Sequence, residues 1–324
     1  MKKLRFVLAL IIAIAFVMPA AADVTVGGEF QWYKSLTGTA GVGFPKVELN
    51  VTGAVDDFNT VKLELDSEGA DFNGTVAVDD FRLCTDIAGA LGLDGVSINT
   101  TIGRFDTYFT NWNYVTRNGY DFYVNYGPWS LGGGPTNDGA LQLDLGFDPI
   151  TVKVWTDLFD NLMVGVTGAF GDLNFFGAFG GATADLGAGA IWVDLGYALG
   201  DLTIPAHFVY DLGASAMYYG VGVGYSMDML SVAAGVDGKT GAAIDNVEVD
   251  VTVTPVDGLD AWVAALLDIE AADVFNGLEV GASYKFGAMK LGAGYVVGDS
   301  FGTGVYYDSF GGEDGLFLFV DIDY

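Results

Sequence analysis

The feature that most constrains this chain is an alternation of apolar with polar or small residues, repeated in segment after segment. Val247, Val249, Val251 and Val253 alternate with Glu248, Asp250, Thr252 and Thr254. Val47, Leu49 and Val51 alternate with Lys46, Glu48, Asn50 and Thr52, and Val61, Leu63 and Leu65 with Lys62, Glu64 and Asp66. Leu278, Val280, Ala282, Tyr284 and Phe286 alternate with Gly277, Glu279, Gly281, Ser283 and Lys285. At the C-terminus Leu316, Leu318, Val320, Ile322 and Tyr324 alternate with Phe317, Phe319, Asp321 and Asp323. Successive side chains of a strand point to opposite faces, so each segment predicts a strand with one apolar and one mixed face. Each runs about ten residues, the length that crosses a bilayer as a tilted strand.

The first residues follow a different rule. Met1-Lys2-Lys3-Leu4-Arg5 is basic, Phe6 to Met18 is apolar, and Pro19 leads into Ala20-Ala21-Ala22. That order predicts a secretory signal peptide over residues 1–22, too short to span a membrane, and a mature domain over 23–324. Losing Lys2, Lys3 and Arg5 takes 13 bases to 10 against 42 acids, so the net charge falls from −29 to −32. Such a charge argues against nucleic acid as a partner, because phosphate contacts need clustered Lys and Arg. Disorder is excluded as well: 51% of residues are hydrophobic and only 17% are charged. A single cysteine, Cys84, leaves no intramolecular disulfide framework or cysteine-based zinc site.

An exported, largely apolar chain without a transmembrane helix is explained by a barrel. Minimal joints occur at Asp148-Pro149, Gly171-Asp172, Gly200-Asp201, Ser226-Met227-Asp228, Val256-Asp257-Gly258 and Gly287-Ala288. Longer polar joints lie at 238–244, 268–274 and 299–315. Strict alternation of short and long joints from residue 148 onward predicts tight periplasmic turns and longer outer loops. The expected fold is therefore all-β: one closed antiparallel transmembrane β-barrel of 16 to 20 strands, with 18 the best count. Parity is ambiguous between 105 and 138, where Trp129 to Gly134 adds a strand or weak segments do not span. The stretch Cys84 to Asp94 reads as a small helix or turn insertion.

A barrel of 16 or more strands leaves a water-filled lumen. The alternation turns inward Glu29, Glu48, Glu64, Asp66, Asp79, Asp144, Asp157, Asp194, Asp211, Glu248, Asp250, Asp260, Asp268, Glu279, Asp321 and Asp323. Inward bases are Lys46, Lys62, Lys153, Lys285 and Lys290. Glu48, Glu64, Asp66, Asp144, Glu248 and Asp250 are thus expected as pore-lining acids. The excess predicts a negative, cation-preferring interior.

With the signal peptide, a mature length near 300, alternation throughout and an aromatic last residue, the chain resembles the Gram-negative outer-membrane general porins. The resemblance implies a passive diffusion channel for small hydrophilic solutes and ions in the outer membrane. It implies contact with lipopolysaccharide, and recognition of Leu316 to Tyr324 by the barrel assembly machinery; a homotrimer stays open. In that family the third outer loop folds into the pore, its acids facing bases on early strands. Here Thr101-Ile102-Gly103-Arg104-Phe105-Asp106 opens an aromatic stretch to Gly119, so the implied constriction gathers Arg104, Asp106 and Arg117 of the loop with Lys46, Lys62 and Arg82. Asp106 is the loop's only acid before Asp121, a departure from the family pattern.

The loop aromatics Phe105, Tyr108, Phe109, Trp112 and Tyr114 read as packing against the inner wall rather than as a solute-stacking surface. Trp32, Tyr33, Tyr197, Tyr210, Tyr225, Tyr284 and Tyr295 read as interfacial belts. Gly292 and Gly294, within Gly292-Ala293-Gly294-Tyr295-Val296-Val297-Gly298, are lumen-facing strand glycines and not a dinucleotide loop. Asp308, Glu313 and Asp314 read as a solvated acidic loop, so no metal or cofactor is expected. His207, the one histidine, turns inward with no serine or carboxylate placed beside it by the sequence. Two alternatives stand behind the porin: a structural or adhesive barrel, and a barrel hydrolase around His207.

Overall fold

The computed structural model describes residues 24–36, 45–67, 77–105, 140–157, 161–240, 244, 246–269, 275–298 and 315–323. Eighteen strands follow one another in chain order. They are β1 (Val24–Ser35), β2 (Pro45–Ala54), β3 (Asn59–Ser67), β4 (Ala77–Asp86), β5 (Ser97–Arg104) and β6 (Ala140–Phe147). Next come β7 (Ile150–Thr156), β8 (Asn161–Phe170), β9 (Leu173–Ala182), β10 (Asp185–Leu199), β11 (Leu202–Asp211) and β12 (Ala216–Met227). The last six are β13 (Leu230–Lys239), β14 (Asn246–Val256), β15 (Leu259–Asp268), β16 (Phe275–Phe286), β17 (Met289–Gly298) and β18 (Gly315–Asp323). Each pairs antiparallel with its sequence neighbour, and β1 also pairs with β18 from Glu29↔Asp323 to Ser35↔Phe317. The sheet is closed, so no strand presents an unpaired edge.

The connections after even-numbered strands share one end with both described termini. There Gly171, Gly200, Gly258 and Gly287 take φ between +59° and +81° in two-residue turns, a region where a side chain costs about 1–2 kcal/mol. At that end a five-residue helix, α1 (Ile87–Leu91), follows β4; the Asp86 carboxylate accepts from Gly89 N–H at 2.8 Å and Gly92 closes it at φ +66°. The expected insertion from Cys84 is thus shorter. Cys84 and Thr85 still pair with Thr101 and Thr100, so the strand holds to Asp86. The expected strict alternation of short and long joints is also softened. At the opposite end only 183–184 join β9 to β10 and only 212–215 join β11 to β12, because β10 is a 15-residue strand that carries its pairing through a register shift between Asp185 and Ala190.

The two faces are chemically distinct. Val193 is 37% exposed beside Trp192 at 0%, and Val249 is 41% exposed beside Glu248 at 5%. Outward residues are Val, Leu, Ile, Phe, Tyr and Met with scarcely a charge. Tyr197, Tyr225, Tyr284 and Phe286 ring the short-turn end, and Tyr210 and Tyr295 lie toward the other. Among the described residues no helix is long and apolar enough to cross a membrane.

Candidate functional site: the barrel interior

Register decides which inward side chains meet. On β3, β2, β1 and β18 four acids stand opposite one another in a single row: Asp66↔Glu48, Glu48↔Glu29 and Glu29↔Asp323. Like charges in register repel, by about 1–3 kcal/mol per pair at roughly 5 Å for effective dielectrics of 80 to 20. Neighbouring amides offset part of this: Gln31 donates to Glu29, and Asn50 donates to Glu48 at 2.5 Å. Because strands of a barrel tilt, a row perpendicular to them climbs the wall. It runs from the outer end of β3 to the short-turn end of β18. Glu29, Asp321 and Asp323 bring one carboxylate oxygen each within 4.8 Å of one another, a geometry hard cations accept. A carboxylate cluster alone does not make a metal site.

The bases flank this row. Lys62 stands opposite Arg82, Arg82 contacts Asp80 at 3.1 Å, and Glu64 stands opposite Asp80. The Arg82 guanidinium lies 5.9 Å from the centre of the Phe105 ring, within cation–π range. The residues expected at the constriction are thus brought together in part. Lys62 and Arg82 meet, whereas Asp106, Arg117 and the Lys46 side chain lie outside the described residues. Arg104 is the last residue of β5, opposite Phe81, rather than a residue of the loop.

A second sector is apolar. Trp155, Met163, Phe176, Ala178, Ala190, Trp192 and Val209 of β7 to β11 form one buried cluster with Phe105 and Ala140. Phe105, which follows β5, is 1% exposed within it, so its ring packs on the inner wall. Two residues before it, Gly103 has φ +144°, and a Cβ there would strike the Phe81 carbonyl; only glycine permits that backbone.

A third sector, β14 to β18, combines acids with flat rings. Trp262 Nε1 donates to Glu279 Oε1 at 2.7 Å, and the Trp262 and Phe319 rings lie 6.4 Å apart. Glu248, Asp250 and Glu279 are buried on the inner face, shielded by neighbours instead of bathed in an open lumen. The sequence reading missed this packing because alternation gives a side chain's face and not what stands across from it. Asp144, also expected as a pore-lining acid, is paired with Lys153 at 3.2 Å and accepts from Gln142 at 3.0 Å.

The sequence also placed no carboxylate beside His207, and here the structure corrects it. Asp194 stands opposite His207 in the β10–β11 ladder, with His207 Nδ1 2.7 Å from Asp194 Oδ1. The signal was available: counting equally outward from the Gly200-Asp201 turn brings 194 opposite 207.

No family model and no curated sequence matches the chain. Solved structures do. An engineered variant of the porin from Rhodobacter blastica is 15% identical and superposes with a TM-score of 0.61 over 93% of this chain and all of that one. An engineered protein studied for asymmetric conductivity gives 0.61 at 14% identity with the same coverage. A loop-deleted form of OmpT, an outer-membrane protein of Vibrio cholerae, gives 0.50 at 12% identity over 94% of this chain and all of that one. At such identities the likeness is one of fold: this chain has the closed antiparallel β-barrel that porin structures have.

Proposed function

We propose that this protein is an outer-membrane porin, a passive diffusion channel for small hydrophilic solutes and ions. The observation that carries the reading is a closed 18-stranded barrel whose outer face is apolar while one sector of its inner face is charged. In hydrocarbon every backbone polar group needs an internal partner, and a closed barrel supplies one to each. The porin and OmpT structures of like fold support the same reading. The water path follows the charged wall of β1 to β4 and β18, while the apolar wall of β7 to β11 backs the chain that enters at Phe105. Asp106 and Arg117 then meet Lys62, Arg82 and Lys46 at the narrowest point, and the row from Asp66 to Asp323 makes the path cation-preferring. Residues 1–22 are removed on export, Leu316 to Tyr324 direct assembly, and the outer rim meets lipopolysaccharide; a homotrimer is the assembly we would test first. A hydrolase around His207 gains an orienting carboxylate, but among the described residues the ladder puts Asp194 and Gly220 opposite His207, and neither is a serine.

Reconstitution of the purified mature chain into a planar bilayer tests the reading. Stepwise conductance with a cation-selective reversal potential is expected. Absence of any step in protein shown to be folded overturns the channel, and anion selectivity overturns the cation preference.

A further inference from the structure

The pair Asp194–His207 serves nothing in passive diffusion, yet its placement is specific. Both side chains are mostly buried, at 14% and 12% exposure, on the inner wall. One register step toward the outer end, Trp192 stands opposite Val209, and both belong to the cluster that holds Phe105. Asp194 also stands opposite Phe176 of the same cluster. Its second oxygen, Oδ2, is buried with no hydrogen-bond partner. Such a carboxylate depends on the imidazole for what compensation it has.

We propose that Asp194 and His207 form a proton-sensitive latch that fixes the β10–β11 wall against which Phe105 packs. With His207 protonated the two side chains make a neutral ion pair joined by Nδ1–H to Oδ1. With His207 neutral the hydrogen bond remains but the carboxylate charge is uncompensated among apolar neighbours. Charge-assisted hydrogen bonds are roughly twice as strong as neutral ones, so the wall is tightest when the imidazole is charged. The latch therefore holds while the imidazole carries its proton and loosens once the proton is lost. Among the described residues the other titratable groups near His207 are few. Asp211 lies two steps along β11, Tyr218 is on β12, and β13 puts Asp237 on the same cross-strand row and Lys239 opposite Tyr218; opposite Asp194, β9 places Phe176. Histidine is the side chain whose ordinary charge change falls between pH 5 and 8, and the chain has one.

The latch rests on this geometry; its effect on current rests on the channel reading, and the test separates the two. Hydrogen exchange of the barrel in detergent, corrected for intrinsic rates, is compared at about pH 5.5 and about pH 8, on either side of the histidine range. Protection across 187–212 should fall roughly five- to tenfold at the higher pH, the factor by which a charged hydrogen bond exceeds a neutral one. His207→Gln, which keeps a donor but never a charge, should show the low protection at both pH values. Asp194→Asn should be insensitive to pH. Equal protection of the wild type at both pH values, or an unchanged response in His207→Gln, overturns the latch. In bilayers the wild type should fluctuate more at pH 8 than at pH 5.5, and His207→Gln equally at both. Silent bilayers with pH-dependent exchange would sink the channel reading and keep the latch.

Discussion

Glycine placement explains how large rings line the barrel's inner wall without projecting from it. Phe319 stands opposite Gly292, Phe317 opposite Gly294 and Trp262 opposite Gly281, and a Cβ on any of these glycines would collide with its ring. The rings therefore lie down on the neighbouring strand. Phe317 and Phe319 are 6.3 Å apart and nearly parallel at 26°. The period-two glycines of β17 were legible in the sequence as lumen-facing; the rings they accommodate were not, because register across strands is not written in one strand. Gly292→Val should lift Phe319 toward the lumen. Overpacking of this kind costs about 1–3 kcal/mol, read as a lower urea midpoint in vesicles, and conductance should fall with it. Adding Phe319→Ala should restore conductance. A single variant as conductive as the wild type would mean that the ring does not border the path.

At the scale of elements, strands were legible because their apolar faces repeat at period two, and turns because glycine and aspartate mark them. Both bounded the count at 16 to 20, with eighteen the best value, because weak alternation between 105 and 138 left parity open. Less legible were the tight 183–184 joint, where a long strand replaces a loop, and the three-way division of the inner wall, which depends on pairing partners. Two predictions belong here. Val263, 46% exposed on the outer face of β15, sits mid-strand; Val263→Lys should destabilise the inserted barrel by about 2–4 kcal/mol. Asp260→Lys, on the inner face, should cost far less, and equal losses in vesicle unfolding would contradict a lipid-facing β15. The second concerns the 55–58 turn joining β2 to β3. The Asn59 side chain and the backbone N–H of Phe58 and Asn59 hold the Asp56 carboxyl below the usual aspartate range, outweighing slight burial. A lowered carboxyl favours the folded turn above the ordinary aspartate range and loses that support as pH falls through its own lower value. Exchange of Phe58 and Asn59 amides, corrected for intrinsic rate, should therefore rise on acidification below about pH 4, and Asp56→Ala should show that rise already at neutral pH.

For the whole molecule, the proposed channel turns on which wall charges a permeant ion would feel. A net of −29 over 324 residues says little by itself, since screening at 0.1 M salt confines each exposed charge to about 10 Å. Pairing removes others, as Lys153 does for Asp144. One stretch of wall concentrates charge: the row Asp66, Glu48, Glu29 and Asp323, with Lys62 and the Asp80-paired Arg82 at its flank. An ion passing about 8 Å from one such charge in water feels about 0.5 kcal/mol, cut roughly in half by screening at 0.1 M. Two charges therefore favour a cation by about twofold and disfavour an anion by about as much, which changes their permeability ratio by about fivefold. Glu29→Gln with Glu48→Gln should lower cation preference by that factor, and Lys62→Gln with Arg82→Gln should raise it. Asp144→Asn with Lys153→Met removes a neutral pair and should leave the reversal potential unmoved. All shifts should fade toward 1 M salt, where screening acts within about 3 Å. Reversal potentials across a tenfold KCl gradient read these differences directly. If instead the acid pair is silent and Asp106→Asn alone moves the potential, selectivity belongs to the third outer connection and not to the wall.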